Sequence, residues 1–223
     1  METYVSRPTE NAGRGAWRRT LLYGGILSSL LYAAMMTFIR FEGYSFAGQT
    51  VSELSAIGAP SRMLWMIPGF AYMILITAFG WSVRASAGKN KALRRVGSLV
   101  IAFGLLGLIW PFAPMHMRGE PFAFTDAMHI ALGGVTVVLM LSAMIMGANA
   151  FDKKFRLYSM ISVLLFLAFV ILTGLEAPAI AENQPTPWIG IWERINILIF
   201  LSWIAVLAIR LLWITPTRKM NPK

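Results

Sequence analysis

Apolar residues fill six long windows along the chain, at 21–39, 63–83, 96–114, 127–148, 157–175 and 191–214. Each approaches or exceeds the ~20 residues that an α-helix needs to cross a bilayer. Polar residues fall between the windows. Arg18-Arg19 and Arg40 bracket the first, Arg62 and Arg84 the second, and Asp152-Lys153-Lys154 follow the fourth. The sixth begins with Glu193, Arg194 and Asn196 in its first turns. The pattern predicts an all-α integral membrane protein, a bundle of six transmembrane helices. It divides into a tail over 1–19, a single transmembrane domain over 20–214 and a tail over 215–223. The first window is too long for a signal peptide and lacks a small-residue cleavage site, so it reads as an anchoring helix. There is no internal repeat and no low-complexity stretch.

Composition narrows the class further. Hydrophobic residues make up 57% and charged residues 13%, against roughly 25% charged in globular domains. Mean hydropathy is +0.63. So small a polar fraction excludes a soluble globular enzyme and excludes disorder. The absence of Cys excludes disulfides, zinc thiolate sites, iron–sulfur clusters and a Cys nucleophile.

The net charge of +10 resolves by side. One set of connections and both tails hold Arg7, Arg14, Arg18, Arg19, Arg84, Lys89, Lys91, Arg94, Arg95, Lys153, Lys154, Arg156, Arg210, Arg218, Lys219 and Lys223. The other set holds only Arg40, Arg62, Arg118 and Arg194. Short loops rich in Lys and Arg stay in the cytoplasm, so both termini are expected to be cytoplasmic. The basic excess is then a topology signal, with no nucleic-acid partner implied.

The outer connections collect the unusual residues. Both histidines, His116 and His129, fall there, with Glu42, Glu53, Glu120, Asp126, Glu176, Glu182 and Glu193. Around Gln49–Ala56 the sequence allows a short helical turn with Ser52 and Ser55 on one side and Glu53 at the flank. Thr125 is expected to cap the fourth helix, with Asp126 in its first turn. Asp126 and His129 share a face that continues through Gly133 and Thr136. Gly104, Gly107, Gly133 and Gly134 are expected at helix-packing positions. The third outer connection is expected to begin at Glu176.

Ionisable residues near membrane depth are costly and mark functional candidates. Four are candidate catalytic groups: His116, Asp126, His129 and Glu193. His116, Asp126 and His129 make a candidate two-His, one-carboxylate site for a divalent metal such as zinc. Without metal, His129 with Asp126, or His116 with Glu193, form candidate acid–base pairs. Ser52, Glu53, Arg62, Arg118 and Arg194 are candidate substrate-binding residues, because arginine forks match phosphate. Ser52 and Ser55 lack the Gly-x-Ser-x-Gly setting of a nucleophile elbow.

The segment Val51-Ser52-Glu53-Leu54-Ser55-Ala56-Ile57-Gly58-Ala59-Pro60-Ser61-Arg62 resembles the outer-loop signature of a bacterial six-helix family, domain-of-unknown-function family 998. Phe103-Gly104-Leu105-Leu106-Gly107, Pro114-Met115-His116, Thr125-Asp126-x-x-His129 and Trp188-Ile189-Gly190-x-x-Glu193-Arg194 are similar to it as well. The resemblance covers about residues 20–212 and implies a multi-pass bundle in a bacterial plasma membrane, with no assigned reaction. More distantly, the Ser52–Arg62 loop and His129 of the fourth helix are similar to the Frag1/DRAM/Sfk1 group, which implies a lipid-facing role. The chain departs from the alkaline ceramidase superfamily, because its last helix carries no His pair.

Three functional expectations follow. The first is a protein whose outer-leaflet-facing polar site interacts with lipid head groups. The second is an outer-face lipid hydrolase, metal-assisted or not. The third is a structural subunit of a membrane complex, with a membrane-protein partner or a second copy against its outer loops.

Overall fold

The computed structural model describes residues 8–214, with side chains from Trp17 onward. The expected tail residues 1–7 and 215–223 lie outside it, as do the side chains at 8–16. Six helices carry the chain: α1 (Pro8–Phe38), α2 (Arg62–Ser86), α3 (Lys91–Gly107), α4 (Phe124–Gly147), α5 (Lys153–Ala181) and α6 (Ile189–Ile214). All six are long and apolar enough to cross a membrane.

Two helix ends differ from the sequence reading. α3 stops at Gly107, and a single 3-10 turn follows over Trp110–Phe112. Pro111 has no N–H to continue the α-helical ladder. α5 runs through Glu176 and Pro178 to Ala181, so the connection to α6 begins six residues later than expected. Pro178 forfeits one backbone bond but is tolerated, as proline often is in membrane helices.

The helices pack as a closed ring in chain order, with α6 returning to α1 and the α4–α5 seam the sparsest between neighbours. Lipid tails are as apolar as leucine, so association rests on close packing and interhelical hydrogen bonds. Gly80 and Gly97 supply the first on α2 and α3. A Cβ at Gly80 would stand 2.8 Å from the Ile101 amide nitrogen, which lets the two backbones nearly touch. Gly104 and Gly107 press on Thr77 and Met73 in the same way, whereas Gly133 and Gly134 have nothing near them. The expectation that all four are packing positions therefore fails for the α4 pair. Ser29 Oγ donates to Leu201 O at 2.9 Å and ties α1 to α6. Trp203, fully buried, donates to Ser159 Oγ at 3.0 Å. Such a bond within a membrane is worth about 0.6 kcal/mol.

The two ends of the bundle differ. At one, short turns join α2 to α3 and α4 to α5. Asn90 caps α3 by accepting from Leu93 N at 3.1 Å and reaches across to Ala150 O at 2.9 Å. Asp152 caps α5 through Phe155 N and faces Arg210 at 3.1 Å. The amide bond and the nearby Arg210 hold its carboxyl below the ordinary range. The opposite end carries the long connections, and every candidate site residue lies there.

Candidate functional site

The first long connection, 39–61, is irregular apart from one 3-10 turn at Ser52–Ser55. Its backbone groups have no regular ladder to pair in, so each buried one needs another partner. Three charged centres supply several of them, the first being Glu53 together with its partner Arg118.

Glu53 is the first, at 0% exposure. One carboxylate oxygen accepts from Thr50 N at 2.7 Å, Thr50 Oγ1 at 3.1 Å and Arg118 Nη2 at 2.9 Å. The other accepts from Arg118 Nε at 2.7 Å and Gln49 Nε2 at 3.1 Å. The fork is bidentate, the geometry in which arginine and carboxylate match best. The hydrogen bonds to Glu53 hold the Arg118 guanidinium above its ordinary pKa. Its remaining donors reach Thr186 Oγ1 at 3.0 Å and Gly48 O at 3.1 Å. Thr186 also donates to Gly48 O at 2.8 Å. One arginine therefore joins all three long connections.

Arg194, on the first turns of α6, is the second and is 4% exposed. It donates to Met36 O, Phe46 O, Gln49 O, Gly190 O and the Tyr44 hydroxyl. Its guanidinium also lies 3.9 Å from the Phe46 ring centroid, a cation–π contact. Burial raises the Tyr44 pKa, so the phenol stays protonated and donates to Thr50 O at 2.8 Å. Gly190 is required here: a Cβ would collide with the carbonyls of Gln49 and Phe46.

Glu193 is the third. Its carboxylate accepts from the Val51 amide and, at 3.4 Å, from Ser52 Oγ. The 3-10 turn is thus held from α6 below and by Arg118 from the side. Ser52 and Ser55 are left facing away from Glu53 into a cleft.

The second connection docks on the first. Ile57 N donates to Met115 O at 2.8 Å, in a single parallel bridge between Ile57 and His116. Asp126 then fixes His116. It accepts from His116 N at 2.7 Å, His116 Nδ1 at 2.8 Å and Ala123 N at 2.8 Å. The last bond makes Ala123, not Thr125, the cap of α4; Asp126 reaches back from the third helical position. Thr125 Oγ1 is instead buried with no partner among the described residues. His129 turns elsewhere, with Nδ1 on Ala113 O at 2.9 Å and Trp110 edge-on at 4.6 Å.

The expected pairings of His129 with Asp126 and of His116 with Glu193 are therefore replaced by His116 with Asp126 and Glu193 with the 3-10 turn. Asp126 spends both oxygens on N–H donors. Among the described residues, no three His, Asp or Glu side chains are placed to hold a metal ion. The trio His116, Asp126 and His129 is not assembled as a ligand set.

Two clefts open at this end. The first, about 140 Å³, is lined by Ser52, Ser55, Arg62 and His129 above, and by Trp65, Phe70, Met73, Trp110 and Pro111 below. The second, about 210 Å³, lies between the second connection and the adjoining ends of α4 and α5, with His116, Glu120, Asp126, Ile130 and Ala177 in its walls. Ser52 and His129 belong to both. Arg62 differs from the other candidate arginines. No hydrogen bond or ion pair engages its guanidinium among the described residues. Thr50, Thr186, Tyr44, Phe46 and Gly48 escaped the sequence reading. They carry no charge or motif, and they matter through their hydroxyls, ring or carbonyl positions alone.

A family model described as a protein of unknown function (DUF998) matches residues 26–210. No curated protein and no solved structure matches the chain.

Proposed function

The chain belongs to the DUF998 family, and from that premise we propose that this multi-pass membrane protein binds the phosphate of an anionic lipid in the cleft beside Arg62. One observation carries the reading. Of the three arginines expected to grip phosphate, Arg118 and Arg194 spend their donors on the protein, and Arg62 keeps its fork free at an apolar cleft. Ser52 and Ser55 line the same cleft, and hydroxyls complement phosphate oxygens. Below them, Phe70, Met73 and Pro111 offer an apolar wall for an acyl chain. Binding is favoured over hydrolysis because neither serine is armed by a histidine. Ser55 Oγ donates to Ser52 O, and Ser52 faces only Glu193.

The cation distribution supports placing this end at the outer leaflet of a bacterial plasma membrane, with both termini in the cytoplasm. The chain has no Cys, so labelling has no background. An impermeant thiol reagent applied to intact cells should modify Gly119→Cys and leave Lys89→Cys untouched; the reverse pattern inverts the topology.

The lipid reading has its own test. A charge-assisted hydrogen bond contributes about 1.5–3 kcal/mol. Arg62→Gln should therefore lower retention of phosphatidylglycerol by about tenfold or more in native mass spectrometry. Arg40→Gln should not, because Arg40 is occupied at the end of α1 by Thr37 O. Equal retention by Arg62→Gln and the parent protein would defeat the proposal.

A further inference from the structure

The second cleft has the opposite chemistry to the first. Its polar rim accepts hydrogen bonds. The Asp126 carboxylate already takes the backbone N–H groups of His116 and Ala123, so it faces Nδ1 of His116 as an acceptor and holds the ring proton there. In the tautomer that this contact selects, Nε2 is the acceptor, on a side chain 27% exposed. Glu120, which lines the same cleft, is exposed and has no side-chain partner among the described residues. The cation on this rim, Arg118, is neutralised by Glu53 and turned inward.

The cleft also has an apolar floor that continues sideways. Ile130 on α4 and Ala177 and Ile180 on α5 line it, at the top of the sparsest seam in the ring. About one turn deeper than Ile130 and Ala177 in their helices, Gly133 and Gly134 on α4 and Gly174 on α5 have open space where a side chain would begin. A linear chain can lie in such a groove with its head at the rim.

We propose that this second cleft binds a lipid whose head group carries a primary ammonium. The ammonium N–H groups point to Nε2 of His116 and to the Glu120 carboxylate, and one acyl chain lies in the α4–α5 seam. The proposal rests on the reading of this end as lipid-facing and adds a head-group class that Arg62 does not select. A quaternary ammonium has the same charge but no N–H to give, so it separates hydrogen-bond recognition from simple charge attraction.

The test uses the full chain in vesicles of equal phosphatidylethanolamine, phosphatidylcholine and phosphatidylglycerol, with retained lipid read by native mass spectrometry. Phosphatidylethanolamine should exceed phosphatidylcholine by about tenfold, the worth of a charge-assisted hydrogen bond. Glu120→Gln, at an exposed position that leaves the fold untouched, and His116→Ala should each reduce that preference. Ala177→Trp, which fills the seam, should remove ethanolamine lipid and spare phosphatidylglycerol. Arg62→Gln should do the converse, so failure at one cleft is distinguishable from failure at the other. Equal retention of the ethanolamine and choline lipids, or an undiminished preference in Glu120→Gln, would overturn the proposal.

Discussion

Arg194→Ala should destabilise the protein by about 3–5 kcal/mol, the range for stripping a buried charged group from its network. Reversible unfolding in mixed micelles would measure it. The guanidinium satisfies four carbonyls and the Tyr44 hydroxyl. A stranded buried acceptor costs about 1–3 kcal/mol, and water entering from this end of the bundle would recover part of the total. Arg194→Lys should restore only a minor share, since one ammonium offers three donors from a point and cannot span five acceptors. A stability within about 0.5 kcal/mol of the parent for Arg194→Ala would mean that water already serves those carbonyls.

Breaking the Glu53–Arg118 pair should cost a similar amount, and unequally. Arg118→Ala leaves a carboxylate at 0% exposure without its counterion, which places it near the upper end of about 3–5 kcal/mol. Glu53→Ala frees an arginine whose side chain is 18% exposed and can turn toward water, so its cost should be smaller. The double variant should fall short of the sum by at least about 1 kcal/mol, as expected for groups in direct contact. Strict additivity would show that the two side chains stabilise the loops independently, contrary to the bidentate geometry.

The transmembrane helices were legible because the bilayer imposes a length and a polarity that few other structures need. The exceptions lie at helix ends, where Trp110-Pro111 and Pro178 act in opposite directions and no local rule says which proline a helix will tolerate. The candidate site was half legible. Charges at the membrane boundary are expensive, and that flagged Glu53, Arg118, Asp126, Glu193 and Arg194 as residues with a purpose. The direction of that purpose was hidden. A 23-residue irregular connection presents backbone groups that must be paired, and Arg194 serves them across 148 to 158 positions of sequence. No periodicity records such a contact. Asp126 illustrates the same limit on a shorter scale. The helical spacing pointed to His129, but the chain folds back over ten residues and delivers His116 instead.

The placement of Arg194 also gives the protein an order of assembly. The connection it stabilises leaves the ribosome about 148 residues earlier. At 5–20 residues per second, that is roughly 7–30 s before its partner is made. During that interval the loop has its own short-range bonds, such as those of Tyr44 and Thr50, and later those to Met115 and Arg118, but its carbonyls at Phe46 and Gln49 still lack the Arg194 donors. Entry of α6 then closes the ring against α1 and supplies the missing donors in one step. Completion of this surface is thereby made conditional on insertion of the last helix, and a chain halted before residue 189 would display an unfinished loop to whatever proteases patrol that side of the membrane.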